Sequence, residues 1–558
     1  MSREPEDVKR GDGTDWRWVG DGRNRWVSRR SMMKTTAIAG AASLAPVSGT
    51  AAAGGAPGPS ASFSDPVRIN PPQRYGYEPG VHVDRFGTIY ATAHKTSLTN
   101  EGTQLASFFW YSTDDGRTWQ DMPAPANADD ELFAFEGDIA IDDAGMVYYC
   151  DTYAADNTFS RWKTTPGGPV FDLSKPIQGT VGVDDRPWLR AHGDGIVYYL
   201  GNNGVEVPTR NNTDPDDGSR IVFYRSTDGG LTFSEGYGFP DSGYCSLAES
   251  KADDKTVYVA CSEGTFFSSA PEETFAIFTS HDRGETFTRQ EVGTFEDGTA
   301  DPFPVWSVTD RAGNPYHVWI NDDTTDKKPA DVRFTRRDGS DGWETLDVTP
   351  FEGTLNKPWI GAGSEGLVAI TFYGSRDVQV GDATEWFPYA LVTGDALERS
   401  PTWTLTQLAD RPVAVDDGEP EDFFECAIGP DDKVHVTFGR EVEPGTIENP
   451  TRTLNSGDDT NNLFYTQGVV TPRGTDGDTT SSRSPPDVTG NGQPPRDPDS
   501  DGRYEDVNGD GETDVVDAQA LFTSRDDPAV QNNPGAFDFN RDDEFSVVDV
   551  QSLFEQVK

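Results

Sequence analysis

One pattern recurs through the middle of this chain and limits its fold more than any other. Between about Asp65 and Val470, an alternating strand runs into an Asp/Gly turn, and a second strand rich in Val and Tyr follows. The instances begin at Gly80 (GVHVDRFGTIYATAH), Gly137 (GDIAIDDAGMVYYCDTY), Arg186 (RPWLRAHGDGIVYYLGNN), Cys245 (CSLAESKADDKTVYVACSE), Phe303 (FPVWSVTDRAGNPYHVWIND), Lys357 (KPWIGAGSEGLVAITFYGS) and Phe424 (FECAIGPDDKVHVTFGRE). Period-2 alternation marks strands, and no stretch of helical periodicity interrupts them. Strand pairs repeated at broadly even intervals predict an all-β propeller with one blade per repeat. Seven hairpins favour seven blades; six are left open if one hairpin is decoration. The strand at 66–69 is expected to lie beside 463–470, closing the ring and removing sheet edges.

A second motif falls later within the repeats. Ser112-Thr-Asp114-Asp-Gly116-Arg-Thr118-Trp119 is the clearest copy. Ser226-Thr-Asp228-Gly-Gly230-Leu-Thr232-Phe233 and Ser280-His-Asp282-Arg-Gly284-Glu-Thr286-Phe287 match it. Frayed versions stand at Arg337-Asp338-Gly339 to Trp343, and at Gly394-Asp395 followed by Thr402-Trp403. The spacing describes a self-capping turn. Asp accepts from the turn backbone, Gly takes a positive φ, and the aromatic plugs the blade edge. These copies resemble the Asp-box (BNR) repeat of sialidase-like propellers over roughly the same 400 residues. The resemblance implies a fold, with the Asp side chains structural.

The chain has 558 residues, more than one core usually serves, so at least two domains are expected. It carries 95 acidic against 46 basic residues, for a net charge of −49. The acid excess runs throughout, which argues against nucleic acid or anionic membrane as partner. Such a coat resembles the surface of proteins adapted to high salt, where self-repulsion is screened.

Near the N-terminus, Ser28-Arg29-Arg30-Ser31-Met32-Met33-Lys34 precedes a mild apolar run at 35–47 and the small-residue tract 51–55. This looks like a twin-arginine export signal, so residues 1–60 are set apart from the fold and the protein is expected to be secreted. The apolar run is too short for a membrane span. Four cysteines are too few for a disulfide scaffold. Cys245 and Cys261 balance about the turn at Asp253-Asp254 and could face each other across two antiparallel strands. Cys150 and Cys426 read as buried apolar fillers.

After the repeats, 471–496 (TPRGTDGDTTSSRSPPDVTGNGQPPR) reads as a tether. Beyond it a calcium-loop grammar is written twice. The first copy places Asp506, Asn508, Asp510, Asp514 and Asp517 at loop positions 1, 3, 5, 9 and 12, with Gly511 at the sharp bend and Glu512 beside it. The second places Asp538, Asn540, Asp542, Ser546 and Asp549 there, with Asp543 at the bend and Glu544 next. Each loop leads into a short apolar-periodic helix, at 516–522 and 548–554. Two such units resemble a type I dockerin over 506–558, a small α-helical, EF-hand-like domain set within 497–558. The resemblance implies two bound Ca²⁺ ions and a cohesin-like protein partner. Asp497-Pro-Asp499-Ser-Asp501-Gly502 repeats the start of the grammar; it reads equally as a third, partial site or a solvated linker end.

In a propeller each innermost strand begins at the mouth of the central channel. The residues expected there are Glu78, Glu136 with Asp138, Asp185 with Arg186 and Trp188, Tyr244, Asp301, Lys357 with Trp359, and Glu425. Glu136, Asp185, Arg186, Tyr244 and Glu425 are the candidates for acid/base chemistry. Trp188, Trp359, Lys357 and Asp301 are the candidates for holding a carbohydrate, whose rings stack on Trp and whose hydroxyls meet carboxylates; a cation bound by the carboxylate cluster is a third option. True sialidases use three arginines and an aromatic-Arg-Ile-Pro signature. Here Val67-Arg68-Ile69-Asn70 lacks the aromatic and the proline, and Arg186 alone is well placed, so sialidase activity does not carry over. The six histidines form no zinc spacing; His82, His317 and His435 lie on period-2 strands and read as core or solvent-facing. Two functions stay open: a secreted, carbohydrate-directed propeller that binds or hydrolyses a polysaccharide, or a non-catalytic recognition platform at the cell surface.

Overall fold

The computed structural model describes residues 17–19 and 25–27, most of 60–471 and most of 488–557. The chain divides into two compact units, Met1–Gly55 and Ala56–Lys558. In the first, the described residues form one hairpin, Arg17–Val19 against Arg25–Val27. The twin-arginine stretch lies outside the described residues. No helix among the described residues is long and apolar enough to cross a membrane.

The second unit is mostly β, in a propeller arrangement of antiparallel sheets. Five blades stand as separate sheets. Their innermost strands are Glu136–Ile141, Asp184–His192, Ser242–Glu249, Val305–Thr309 and Thr354–Ala362. In each blade the chain runs outward, strand by strand, to the rim. The remaining strands form one nine-stranded sheet. It joins Cys426–Ile428, Val434–Glu441 and Asn461–Thr471 to Gly76–Val83, Ile89–Lys95, Phe108–Ser112 and Gln120–Asp121.

This corrects the expected count of seven or six blades to five. The physical reason is the pairing of Asn461 with Gly76, which carries hydrogen bonding from the last hairpin straight into the first. The expected closure is otherwise met: Val67–Arg68 pairs with Tyr465 and Phe464, and Ser60–Phe63 pairs with the end of the same strand.

Local chemistry explains the strands. In the blade that begins at Ser242, the three inner strands are buried along their whole length, and only the outer strand Thr288–Thr294 is largely exposed. Both faces of a blade are covered by neighbours, so the polar half of the alternation is buried as well. Three of the inner turns share one device, Asp-x-x-Gly-x-x-Tyr. Asp84 accepts from Thr88 N–H and Tyr90 O–H, both at 2.9 Å. Asp142 does the same with Met146 and Tyr148, and Asp310 with Asn314 and Tyr316. The glycine between them takes φ of 78°, 84° and 85° in the three turns, a region a side chain would strain.

The outer turns are equally regular. Asp114 Oδ1 accepts from Ser112 Oγ–H and Thr118 N–H, while Ser112 Oγ accepts from Gly116 N–H. The turns at Asp228 and Asp282 repeat these bonds. At Asp395 a threonine, Thr393, takes the place of the serine. Gly116, Gly230 and Gly284 lie directly on Tyr465, Phe159 and Phe223, so each turn also rivets adjacent sheet strands. Cys245 and Cys261 are register partners on adjacent strands and form a disulfide; Cys150 and Cys426 are buried thiols.

Two core histidines make a pH prediction. Burial holds His317 down at about 3 and His435 at about 4. The unfolded chain takes up these protons near about 6.5, so their contribution is complete above that pH and falls as acid is added. Urea midpoints should therefore drop between about pH 6.5 and 5, above the range where carboxylates titrate. His317→Asn should flatten that slope; an unchanged slope would remove His317 as its source.

Beyond the propeller, helices Val515–Ser524 and Val547–Val557 pack together over Val507, Ala518, Leu521, Phe537 and Leu553. A domain of the dockerin kind is not evident from this architecture. The described residues give two short helices and a three-residue 3-10 turn, Pro534–Ala536, which is too little to define one. Val488 is 4% exposed within the same small core, and Arg496 N–H donates to the Asp506 carbonyl at 2.9 Å. The rest of the tether described in sequence lies largely outside the described residues.

Candidate functional site

The propeller's inner strands lie each against the next, and Cys426–Ile428 returns to Gly76–Val83. Three of them bulge at the same place. Pairing skips Glu78-Pro79, Arg186-Pro187 and Lys357-Pro358. Proline has no N–H for the ladder, so each dipeptide steps out of register. Glu78 and Lys357 take φ of 52° and 54°, a left-handed conformation costing on the order of 1 kcal/mol for a non-glycine residue. Both are nevertheless buried, at 9% and 5% exposure. The recurring charged-residue–proline pair was a legible signal that residue-by-residue reading of strand starts passed over.

The expected stacking residues are used differently. Trp188 and Trp359 are 3% and 5% exposed and pack on each other, on Trp306 and on Phe423. Tyr244 closes the cluster, edge-on to Trp306 at 5.7 Å between ring centres. Four inner strands and the segment before a fifth thus meet in an aromatic plug. This corrects the expectation that Trp188 and Trp359 present faces to a sugar: an indole already covered by other rings has no face left to offer.

A charged network lies on the other inner strands. Asp138 accepts from Ile139 N–H at 2.8 Å and Leu189 N–H at 2.7 Å, and Arg190 Nη1 stands 3.3 Å away. Arg190 Nε also faces Glu249 at 3.7 Å, and Lys251 pairs with the same glutamate. Burial opposes ionisation of Glu249, but Lys251 and Arg190 outweigh it and hold the carboxyl below its usual range. Glu425 is buried and accepts from Val81 N–H at 3.0 Å, which ties the last hairpin to the first. His82 Nε2 lies 3.8 Å from Asp138 Oδ1. His192 lies on the same strand as Arg190, contacts the Ser250 carbonyl at 2.6 Å and faces Asp143 at 3.5 Å.

The structure thus brings Asp138 and Glu425 together. Glu136, Asp185 and Arg186 fall on inner strands, at positions whose side chains lie outside the described residues. Asp301 lies outside the described residues altogether. Reading strand starts missed Arg190 and Glu249, which sit near the far ends of their strands. Alternation alone could have flagged Arg190, two residues from Trp188 and on the same face of the strand.

At the C-terminus the two loops share one pattern of bonds. Asp517 accepts from Asn508 N–H at 3.1 Å and Asp514 N–H at 2.9 Å. Asp549 accepts from Asn540 N–H at 3.1 Å and Ser546 N–H at 2.7 Å. Both aspartates are fully buried. Asp506 Oδ2 accepts from Gly511 N–H at 2.8 Å, while its Oδ1 is buried with no hydrogen-bond partner among the described residues. A buried carboxylate oxygen left without a donor suits a cation, and the oxygen-only donor set suits a hard one. Asp510 is exposed, Asn508 and Asp538 are buried, and Asp514 caps the first helix through Val516 N–H. Glu512, Asp542, Glu544 and the partial motif at Asp497, Asp499 and Asp501 lie outside the described residues.

No protein-family model matches this chain, and no curated protein matches it. Among solved structures, an ulvan lyase reported as a new family of polysaccharide lyase is similar at 12% identity, with a TM-score of 0.39 over 65% of this chain and 92% of its own. The NanB sialidase of Streptococcus pneumoniae is similar at 12% identity and a TM-score of 0.35, over 73% of this chain and 70% of its own. An α-L-arabinanase of Penicillium chrysogenum is similar at 13% identity and a TM-score of 0.35, over 63% of this chain and 99% of its own. Each of the three is named for an action on carbohydrate.

Proposed function

We propose that this protein is an exported, carbohydrate-directed propeller whose C-terminal module folds around two calcium ions and docks the molecule to a protein partner. The observation that carries the reading is the repeated loop. Two separate segments fold the last loop aspartate back onto the same two backbone positions, and the first loop leaves Asp506 Oδ1 free of any donor. In the first loop Asp506, Asn508, Asp510 and Asp517 would hold one ion. In the second, Asp538, Asn540 and Asp549 would hold the other. Calcium supplies the charge that lets these carboxylates stay buried together.

Docking is supported by a matched pair of apolar patches. Val515, Val516 and Phe522 on one helix, and Val547, Val548 and Phe554 on the other, are each 46–59% exposed. A cohesin-like partner is the proposed occupant. The acidic coat and the Arg29-Arg30 leader support secretion into a salt-rich exterior.

The carbohydrate reading rests on the charged residues Glu136, Asp185 and Arg186, which fall on inner strands and carry groups able to take sugar hydroxyls. Recognition is favoured over hydrolysis because the three arginines of a sialidase site are not met in this sequence, and Val67-Arg68-Ile69-Asn70 lacks the aromatic and the proline of the signature. In high salt with calcium present, a glycan array should show binding without turnover. Glu136→Gln and Asp185→Asn should each weaken that binding. Retention of full binding by both variants would move the site away from the mouth, and measurable hydrolysis would replace the recognition reading with the catalytic one.

A further inference from the structure

His82, Asp138 and Glu425 are far apart in sequence and belong to three different segments of the inner ring. His82 lies on Gly76–Val83, Asp138 on Glu136–Ile141, and Glu425 just before Cys426–Ile428. One ligand atom from each lies within 4.8 Å of the other two. Asp138 and Glu425 are buried, whereas the His82 side chain keeps 24% of its surface.

Asp138 is held by Ile139 N–H and Leu189 N–H, but no hydrogen bond draws His82 or Glu425 to it among the described residues. Among the described residues, the His82 imidazole makes no hydrogen bond and has Asp138, at 3.8 Å, as its sole ion-pair neighbour. Glu425 receives a single donor, Val81 N–H, on Oε2. Its other oxygen sits in a side chain 5% exposed, beside a second carboxylate. Arg190 and Lys251 set two positive charges against the three carboxylates Asp138, Glu249 and Glu425, which leaves one negative charge over. Two carboxylates and an unbonded imidazole, turned to one point from three strands, make a binding site for a positive ion.

We propose that His82, Asp138 and Glu425 coordinate a divalent transition-metal ion, of the zinc class, at the inner wall of the propeller. One imidazole nitrogen with two carboxylate oxygens is a mixed donor set. It suits zinc or its first-row neighbours better than calcium, which takes oxygen ligands. Bonds of about 2.1 Å would draw the three donors in by roughly 1 Å, a movement side chains can supply. A fourth position remains on the exposed side of His82. The ion ties the last inner segment to the first and second inner strands, so it fastens the ring where the two ends of the chain meet. This site is separate from the calcium loops in donor set and in place.

The test uses the full chain, stripped of metal and returned to saturating Ca²⁺ so that the C-terminal loops are filled. One equivalent of Zn²⁺ should bind by equilibrium dialysis with metal analysis, and it should raise the melting temperature. Co²⁺ should bind with a visible absorption band that Zn²⁺ displaces. His82→Ala should weaken zinc roughly tenfold or more and abolish the band, yet melt like the metal-free parent, because the His82 imidazole makes no hydrogen bond to lose. Glu425→Gln should also weaken zinc, with some loss of metal-free stability through Val81. Zinc binding of undiminished affinity in His82→Ala would place the ion elsewhere and overturn the site. So would the absence of Zn²⁺, Mn²⁺ and Co²⁺ binding by the parent. Neither outcome touches the calcium reading, whose ions are present throughout.

Discussion

Removing calcium from the intact protein is expected to unfold residues 488–557 while leaving the propeller standing. The small helical core is made by about a dozen side chains, and its loops hold Asp506, Asp517, Asp538 and Asp549 at 0–4% exposure. Without a cation, the first loop keeps a buried, donorless carboxylate oxygen beside other acids. Each occupied site adds about 2.7 kcal/mol at a hundredfold excess over its Kd, which is decisive for a core this small. Limited proteolysis with and without a calcium chelator, read by mass spectrometry, measures this directly. Cleavage should move into 488–557 on chelation and spare 60–471. Asp517→Ala should reproduce the chelated pattern even in calcium, because it strips Asn508 N–H and Asp514 N–H of their shared acceptor, at about 1–3 kcal/mol for each donor left bare. Equal cleavage of the tail in both conditions would remove the calcium-folded module.

Replacing Arg190 by alanine should be the most damaging single change in the channel. Its side chain is 15% exposed and stands between Asp138 and Glu249, whose side chains are 1% and 6% exposed. Deleting it leaves two buried acids facing each other across the space it filled. Breaking a buried charge cluster on one side costs roughly 3 kcal/mol or more. Denaturant midpoints in high salt give the measurement, since a buried network is screened far less than a surface one. Arg117→Ala is the control. That side chain is 76% exposed and stands 4.0 Å from Asp115, so its loss should change stability by less than about 0.5 kcal/mol. Acid should act in the same direction on the parent. Glu249 is held below its ordinary value of about 4.3, so its contribution is whole above that pH and is lost as pH falls through the lower folded value. If Arg190→Ala costs no more than the control, the network is wet and its charges are independent.

Much of the β architecture was legible because it rests on local rules. The Asp/Gly turns announce themselves, since a carboxylate that caps its own turn and a glycine at positive φ must sit at fixed offsets. The Cys245–Cys261 bridge followed from symmetry about Asp253-Asp254. What stayed hidden depends on non-local geometry. The pairing of Asn461 with Gly76, which merges the end hairpins into one sheet, has no signature at either residue. Trp188 and Trp359 read the same whether they await a ligand or each other. His82 stands 56 residues from Asp138, and Asp138 stands 287 from Glu425, so no spacing rule could join them. Val488 sits in a stretch whose Gly, Ser, Thr and Pro content disguises one anchoring side chain.

The nine-stranded sheet also sets an order of events. Residues 60–68 lie at the beginning of the propeller, and the strand they pair with, Asn461–Thr471, is among its last parts to be made. On the ribosome, the early strands must wait through nearly four hundred residues of synthesis with an unpaired edge exposed. Contacts that span so much chain close late and slowly. The commitment to the native state therefore falls after translation of the body is complete, and any product that stops short of residue 461 keeps an open flank that invites association with its neighbours.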